Sequence, residues 1–162
     1  LERFDREAEA RFDESEEHII LISIGTNDTI FDNEKKENWV PIDEFKSNLE
    51  QLINQARKYS NKIVLLGETP VDESEVNPIP WVPNNSYLNK YIETYNEVIK
   101  QTAQEQNVLF IDLLPEFQKI EYKNLLQDGD HPNSDGHKMM FEIVKNFLIE
   151  KKLIPFSGVI LT

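Results

Sequence analysis

Cysteine is absent from the 162 residues, which removes disulfides, thiolate metal sites and a cysteine nucleophile from consideration. Basic residues are scarce. Lys and Arg number 17 against 30 Asp and Glu, for a formal net charge of -13. So little positive charge leaves no basic surface to neutralise phosphates, and nucleic acid and anionic lipid are excluded as expected partners. Long hydrophobic runs are missing too: the longest have about six residues, where roughly 20 are needed to cross a bilayer. No signal-peptide pattern is visible, so a cytoplasmic setting is the default expectation. What is present, 39% hydrophobic and 29% charged residues, reads as one soluble globular domain over 1–162. That length supports a real core and is too short for two ordinary domains. The chain opens on Leu1 rather than Met, and inside a helical pattern, so a processed or truncated start is expected.

Helical and strand-like segments alternate. Leu1, Phe4, Ala8 and Phe12 recur at helical spacing among charges and predict an amphipathic helix ending near Asp13. The β-branched run 18–24, closed by Gly25, predicts a strand apolar on both faces, as a parallel sheet covered by helices requires. A second helix follows, with Phe45, Leu49, Leu52, Ile53 and Ala56 as its stripe and Asp43 as its expected N-cap. The segment 62–67 predicts another buried strand. A long helix carries Leu88, Tyr91, Ile92, Tyr95, Val98, Ile99 and Ala103, a third strand covers 107–113, and a short helical piece lies around 116–126. The last helix is expected over about 137–152. This alternation predicts an α/β fold with a parallel sheet, whose functional edge lies at the carboxyl ends of the strands. Three turns should therefore converge: Gly25-Thr26-Asn27-Asp28, Glu68-Thr69-Pro70 and the loop holding Asp128 and His131.

Three histidines are available. His18 precedes the first strand at the wrong end and reads as a surface residue. His131 has a carboxylate three positions earlier, Asp128, able to fix the imidazole tautomer and leave the other nitrogen as a general base. Taken alone, a solvated loop or a helix cap explains that spacing as well. His137 lies where a helix dipole disfavours a cation and reads as a neutral packing or hydrogen-bonding residue. Asp128, Asp130, Asp135, His131 and His137 crowd together, which raises a metal site. An EF-hand loop is ruled out because its fifth position would be Pro132, and the two histidines lack the i, i+4 spacing of the familiar zinc helix. The expectation is no metal and no organic cofactor. In the first turn, Gly25 allows a sharp exit and the Asn27 amide is a neutral donor for an oxyanion, though strand-end turns use the same residue types.

Taken together, Gly25-Thr26-Asn27-Asp28 after a buried strand and the later block Asp128-Gly129-Asp130-His131-Pro132, with its trailing Gly136-His137, closely resemble two conserved blocks of the SGNH or GDSL hydrolases. The resemblance covers essentially the whole chain. It implies a three-layer α/β/α sandwich with a parallel sheet, the flavodoxin-like SGNH hydrolase fold. It also implies a serine esterase or lipase working through an acyl-enzyme on a small-molecule, lipid or sugar ester. Residue by residue, it makes His131 the base, Asp128 its orienting partner and Asn27 an oxyanion-hole donor, with Gly25 and Asp28 supporting the turn.

The family's Gly-Asp-Ser nucleophile block and its second oxyanion glycine have no counterpart here. None of Ser15, Ser23, Ser47, Ser60, Ser74, Ser86, Ser134 and Ser157 has the matching context, and Ser134 reads better as a helix N-cap. Two strands and their helices are expected to be missing ahead of Leu1, so that the run 19–24 becomes an apolar sheet edge. On this reading the chain is the C-terminal two-thirds of the domain and inactive by itself. The competing expectation is a catalytically dead fragment or ligand-binding module on the same fold. The Pro- and Asn-rich loop 71–85 is long for its place and should overhang the functional edge. Trp81 then lines an acyl or sugar pocket, or anchors its own loop. Tyr87, Tyr91 and Tyr95 read as core or boundary, and Val159, Ile160 and Leu161 suggest a tail that docks on something.

Overall fold

The apolar runs of the sequence fall in the central sheet of the computed structural model, which describes residues 2–155. In chain order the elements are α1 (Glu2–Glu9), β1 (Ile19–Ser23), a 3-10 turn (Thr26–Thr29), β2 (Phe31–Asp32), β3 (Glu37–Asn38), α2 (Ile42–Ala56), β4 (Lys62–Leu66), α3 (Glu73–Val76), β5 (Asn85–Ser86), α4 (Asn89–Glu105), β6 (Leu109–Ile111), α5 (Leu114–Gln118), a second 3-10 turn (Tyr122–Leu125) and α6 (Ser134–Glu150). β1, β4 and β6 form a parallel sheet in the order β1-β4-β6, with Ile19 opposite Lys62 and Val64 opposite Leu109.

Side-chain alternation explains the layers. In β4, Ile63 and Leu65 point to one face and pack with Phe45, Leu49 and Ile53 of α2 and Tyr95 and Ile99 of α4. Val64 and Leu66 point to the other face and meet Leu148, Met140, Val144 and Phe147 of α6. A strand apolar at every position is thus covered on both sides, giving a three-layer α/β/α sandwich. Burying each such side chain contributes about 1.5–3 kcal/mol. β1 lies at the edge, as expected, and carries exposed apolar surface: Leu21 is 45% and the following Ile24 44% exposed.

Helix ends differ from expectation. α1 stops at Glu9 rather than near Asp13, because the Asp13 carboxylate accepts from Ser15 N at 2.9 Å and turns the chain. His18 stays at that end, its Nε2 2.8 Å from Asp13 O. Asp43 is not the cap of α2. The helix starts at Ile42 behind Pro41, whose φ of -56° already suits a helix, and Asp43 sits in the first turn. α6 begins at Ser134 and is capped by Asn133, whose Oδ1 accepts from Asp135 N and Gly136 N at 3.0 and 3.1 Å. Asn133 has the extended backbone that a cap needs, which Ser134 lacks inside the helix.

A second, antiparallel sheet in the order β3-β2-β5 was not anticipated. Its two-residue strands are too short to show a period. Phe31 and Asp32 pair with Ser86 and Asn85, so the stretch after the first turn is stitched to the end of the loop 71–85. Among the described residues no helix is long and apolar enough to cross a membrane. The expected docking tail at Val159, Ile160 and Leu161 lies outside the described residues.

Candidate active site

The three expected turns do converge. A cleft of about 480 Å³ at the carboxyl end of the parallel sheet is lined by Asn27, Glu68, Thr69, Asp130 and His131, among others.

The first wall begins at Gly25. Its φ of +128° is one that L-residues avoid, and a Cβ there would come within 2.2 Å of Glu68 Oε1. The sharp exit lets Asp28 N donate to Gly25 O at 2.9 Å and Thr29 Oγ1 to Thr26 O at 2.7 Å, closing the 3-10 turn. Asn27 sits exposed on that turn. Its Oδ1 accepts from the Tyr87 hydroxyl at 2.6 Å, and its Nδ2 has no acceptor among the described residues. Asp28 is half-buried behind it. Burial raises its carboxyl above the ordinary range, its own backbone N–H counters, and Glu44 adds to the rise.

The opposite wall is the loop 128–131, stitched to its surroundings by backbone bonds. Gln127 N donates to His131 O at 2.8 Å and Asp72 N to Gly129 O at 2.7 Å. Gly129 takes φ +92° to make the turn. Asp128 Oδ1 accepts from His131 N at 3.0 Å, and His131 Nδ1 lies 3.1 Å from Oδ1 and 3.0 Å from Oδ2. These acceptors select the tautomer with hydrogen on Nδ1 and leave the Nε2 lone pair free. Burial works to raise Asp128, but the bonds from the His131 backbone and ring outweigh it and leave the carboxyl below its ordinary value.

Asp130, named from the sequence only as one of the crowded possible metal ligands, lies against the His131 ring. Its side chain is 3% exposed, and Oδ1 lies 3.1 Å from His131 Nδ1. Burial pushes its carboxyl up to about 6 against the pull of His131, with Asp128 adding to the rise. Asp128, Asp130 and His131 bring ligand-type atoms within 4.8 Å of one another, whereas Asp135 and His137 are not part of that group. Tyr87 is likewise more than core. It is buried, yet its hydroxyl reaches the site. Nothing in its helical spacing signals that reach.

Trp81 does not line this cleft and is 54% exposed. Val76 and Ile79 draw the loop into its own small core, and the Ile79–Val82 bridge turns Trp81 outward. Ser23 is the serine among the lining residues, placed at the end of the edge strand. His137 also borders the cleft.

Residues 1–139 match the model of the GDSL-like Lipase/Acylhydrolase family. The human isoamyl acetate-hydrolyzing esterase 1 homolog is 26% identical over 140 residues, covering 83% of this chain and 56% of that protein. An acetylxylan esterase from Geobacillus stearothermophilus is 26% identical over 129 residues, covering 75% of this chain and 54% of that protein. The chain thus spans about half the length of these curated relatives. Its fold superposes on the crystal structure of a lipase/acylhydrolase from Enterococcus faecalis with a TM-score of 0.66 at 19% identity, over 82% of this chain and 62% of that one. The structure of the Geobacillus stearothermophilus acetylxylan esterase Axe2 gives 0.58 at 26% identity, over 90% of this chain and 66% of that one. This chain belongs to the GDSL-like Lipase/Acylhydrolase family.

Proposed function

We propose that this chain carries the base and oxyanion side of a carboxylic-ester hydrolase whose nucleophilic serine comes from a segment ahead of Leu1. The observation that carries the reading is the placement of His131. Its Nδ1 is held by Asp128 at 3.0 Å while the residue lines the same cleft as Asn27. The edge of β1, where Leu21 is exposed and Ile24 is exposed at the cleft itself, is where such a segment pairs.

In the proposed reaction the serine Oγ attacks the ester carbonyl carbon and its proton passes to His131 Nε2. The carbonyl oxygen becomes an oxyanion facing the Asn27 amide. Collapse of the tetrahedral species breaks the bond to the alcohol oxygen, which takes the proton from Nε2. Water then attacks the acyl-enzyme and gives its proton to Nε2. The second collapse returns that proton to the serine and releases the carboxylic acid. Asp128 holds the ring in place through both halves. Two of the relatives are named for acetate esters, isoamyl acetate and acetylxylan, so acetyl esters of small alcohols or sugars are the proposed substrates.

The test is intact-mass analysis of the protein from its native source before and after a fluorophosphonate probe, with the labelled residue mapped. Labelling of a serine upstream of Leu1, with hydrolysis of p-nitrophenyl acetate, supports the reading. Labelling at Ser23, or no labelling at all, overturns it.

A further inference from the structure

The steps above leave three carboxyl groups at the cleft unused, Asp28, Asp130 and Glu68, and Glu68 is the one held from both sides. Glu68 follows β4, borders the cleft and is 4% exposed. Its Oε2 accepts from Thr26 Oγ1 at 2.5 Å. Its Oε1 is buried, has no hydrogen-bond partner among the described residues, and sits against Gly25 so closely that a Cβ there would lie 2.2 Å away. From behind, Glu68 N donates to Asn96 Oδ1 at 2.9 Å, and Asn96 Nδ2 donates to Asp112 Oδ1 at 3.0 Å. Glu68 is therefore anchored by α4 and the end of β6. In front it holds the two residues that directly precede Asn27.

We propose that Glu68 is a positioning residue for the oxyanion donor: by gripping Thr26 and seating against Gly25, it sets the direction in which Asn27 presents its amide. The inference rests on Asn27 being that donor. A glutamine would hold Thr26 equally well without the cost of burying an ionisable group, so what the carboxyl adds is a dependence of the turn on pH. The groups around it are mostly acidic. Asp28 faces it from the turn, Tyr87 from the link between β5 and α4, Asp112 from behind Asn96, and Asp130 with His131 across the cleft. Burial pushes the Glu68 carboxyl up to about 7, the Thr26 bond opposes, and Asp28 adds to the rise. An ionised Glu68 puts negative charge under the place where an oxyanion forms, which disfavours it, so the protonated form is the competent one.

Two measurements test this. The first needs no turnover: amide NMR signals of Gly25, Thr26 and Asn27 are followed from pH 5 to 9 in the 162-residue chain. They should share a step with a midpoint near 7 that disappears in Glu68→Gln. A turn without that step, or one that keeps it in the variant, overturns the proposal. The second uses the protein expressed from its intact gene and p-nitrophenyl acetate. Glu68→Ala should lower kcat about 10- to 100-fold with KM within about twofold. Glu68→Gln should keep kcat near wild type at pH 6 and hold it to higher pH. Equal losses in both variants, or a change in KM alone, overturn the proposal. Failure of the esterase reading shows separately, as a wild-type protein that neither hydrolyses the ester nor takes the probe, and the NMR result then still decides whether Glu68 controls the turn.

Discussion

The Tyr87 hydroxyl donates to Asn27 Oδ1 at 2.6 Å across 60 positions of sequence. An amide whose oxygen is engaged in this way keeps its Nδ2 hydrogens available for another acceptor, as the proposed oxyanion role requires. Burial, and then the carboxylates Asp130, Glu68 and Asp128, hold the Tyr87 hydroxyl up to about 12, so it stays a donor throughout the neutral range. Tyr87→Phe keeps the buried ring and removes only the bond. In the protein expressed from its intact gene, kcat for p-nitrophenyl acetate should fall about tenfold, with KM within about twofold. An unchanged kcat would show that Asn27 is aimed without help from Tyr87.

The proposed chemistry makes sharper demands on the groups at the cleft itself. His131→Ala should abolish turnover, because it removes the imidazole that Asp128 holds and that the proposed mechanism uses to accept the serine proton. Asn27→Ala should lower kcat by about 10² or more, the loss that follows removal of one oxyanion donor. Both variants should fold, since each side chain is exposed. Steady-state kinetics with circular dichroism as the folding control checks the pair, and wild-type rates in either would refute the assignment.

How much of this was legible beforehand depends on the range of each interaction. Asn27, Asp128 and His131 lie in local blocks that, taken together, resemble two blocks of a known family, so the proposed roles could be assigned to them from sequence although neither block alone was specific. The strands around Ile22 and Val64 announced themselves as continuous apolar runs, because a sheet covered on both faces needs no polar alternation. Glu68, Tyr87 and Asp130 act through partners brought near by the fold, and a buried carboxyl in sequence looks like any surface acid. Caps were the weakest point: Pro41 and Asn133 start helices where Asp43 and Ser134 were the favoured residue types. Trp81 was misplaced for a similar reason. The inward pull of Val76 and Ile79 decides which way its loop turns, and that packing is not visible as a pattern.

Burial of Glu68 also makes stability depend on pH. Its folded-state value is raised to about 7 from 4.5, so between those values the unfolded chain has released the proton while the folded chain retains it. Stability therefore falls as pH rises from about 4.5 to 7 and levels off above, with a Glu68 share of about 3 kcal/mol. Asp130, raised to about 6 chiefly by burial, acts in the same direction. Urea unfolding midpoints at pH 5 and pH 8 should show the drop, and Glu68→Gln should reduce it. The same slope in both proteins would rule out Glu68 as its source.

At acid pH the sign reverses, through Asp72. The Lys123 ammonium at 2.8 Å, with Ser74, holds this carboxyl down at about 2. The stability it contributes is present above its ordinary value of 3.8 and is lost as pH falls from there towards 2. Asp72 N also donates to Gly129 O at 2.7 Å, so the residue ties α3 to the loop of Asp128 and His131. Lys123→Met should flatten the loss of stability between pH 4 and 2. Native thermal midpoints across that range measure it, and an unchanged pH dependence would show that the ion pair contributes nothing.

The edge of β1 leads to a prediction about association. Among the described residues its backbone groups on one side have no strand beside them, and Leu21 and Ile24 present apolar side chains there, 45% and 44% exposed. Unpaired, apolar edges are templates for another strand. The 162-residue chain should therefore self-associate with rising concentration, through contacts that add a strand to β1. Leu21→Lys places a charge on that surface with little effect on the core, because Leu21 is 45% exposed while Ile20 and Ile22 pack on the α2 side and Ile19 on the α6 side. Sedimentation velocity across a hundredfold concentration range should show the wild-type chain growing and the variant staying monomeric at unchanged thermal stability. Growth in both would place the association elsewhere on the molecule. If the protein expressed from its intact gene remains monomeric while the 162-residue chain does not, that result supports the proposal that a further segment covers this edge.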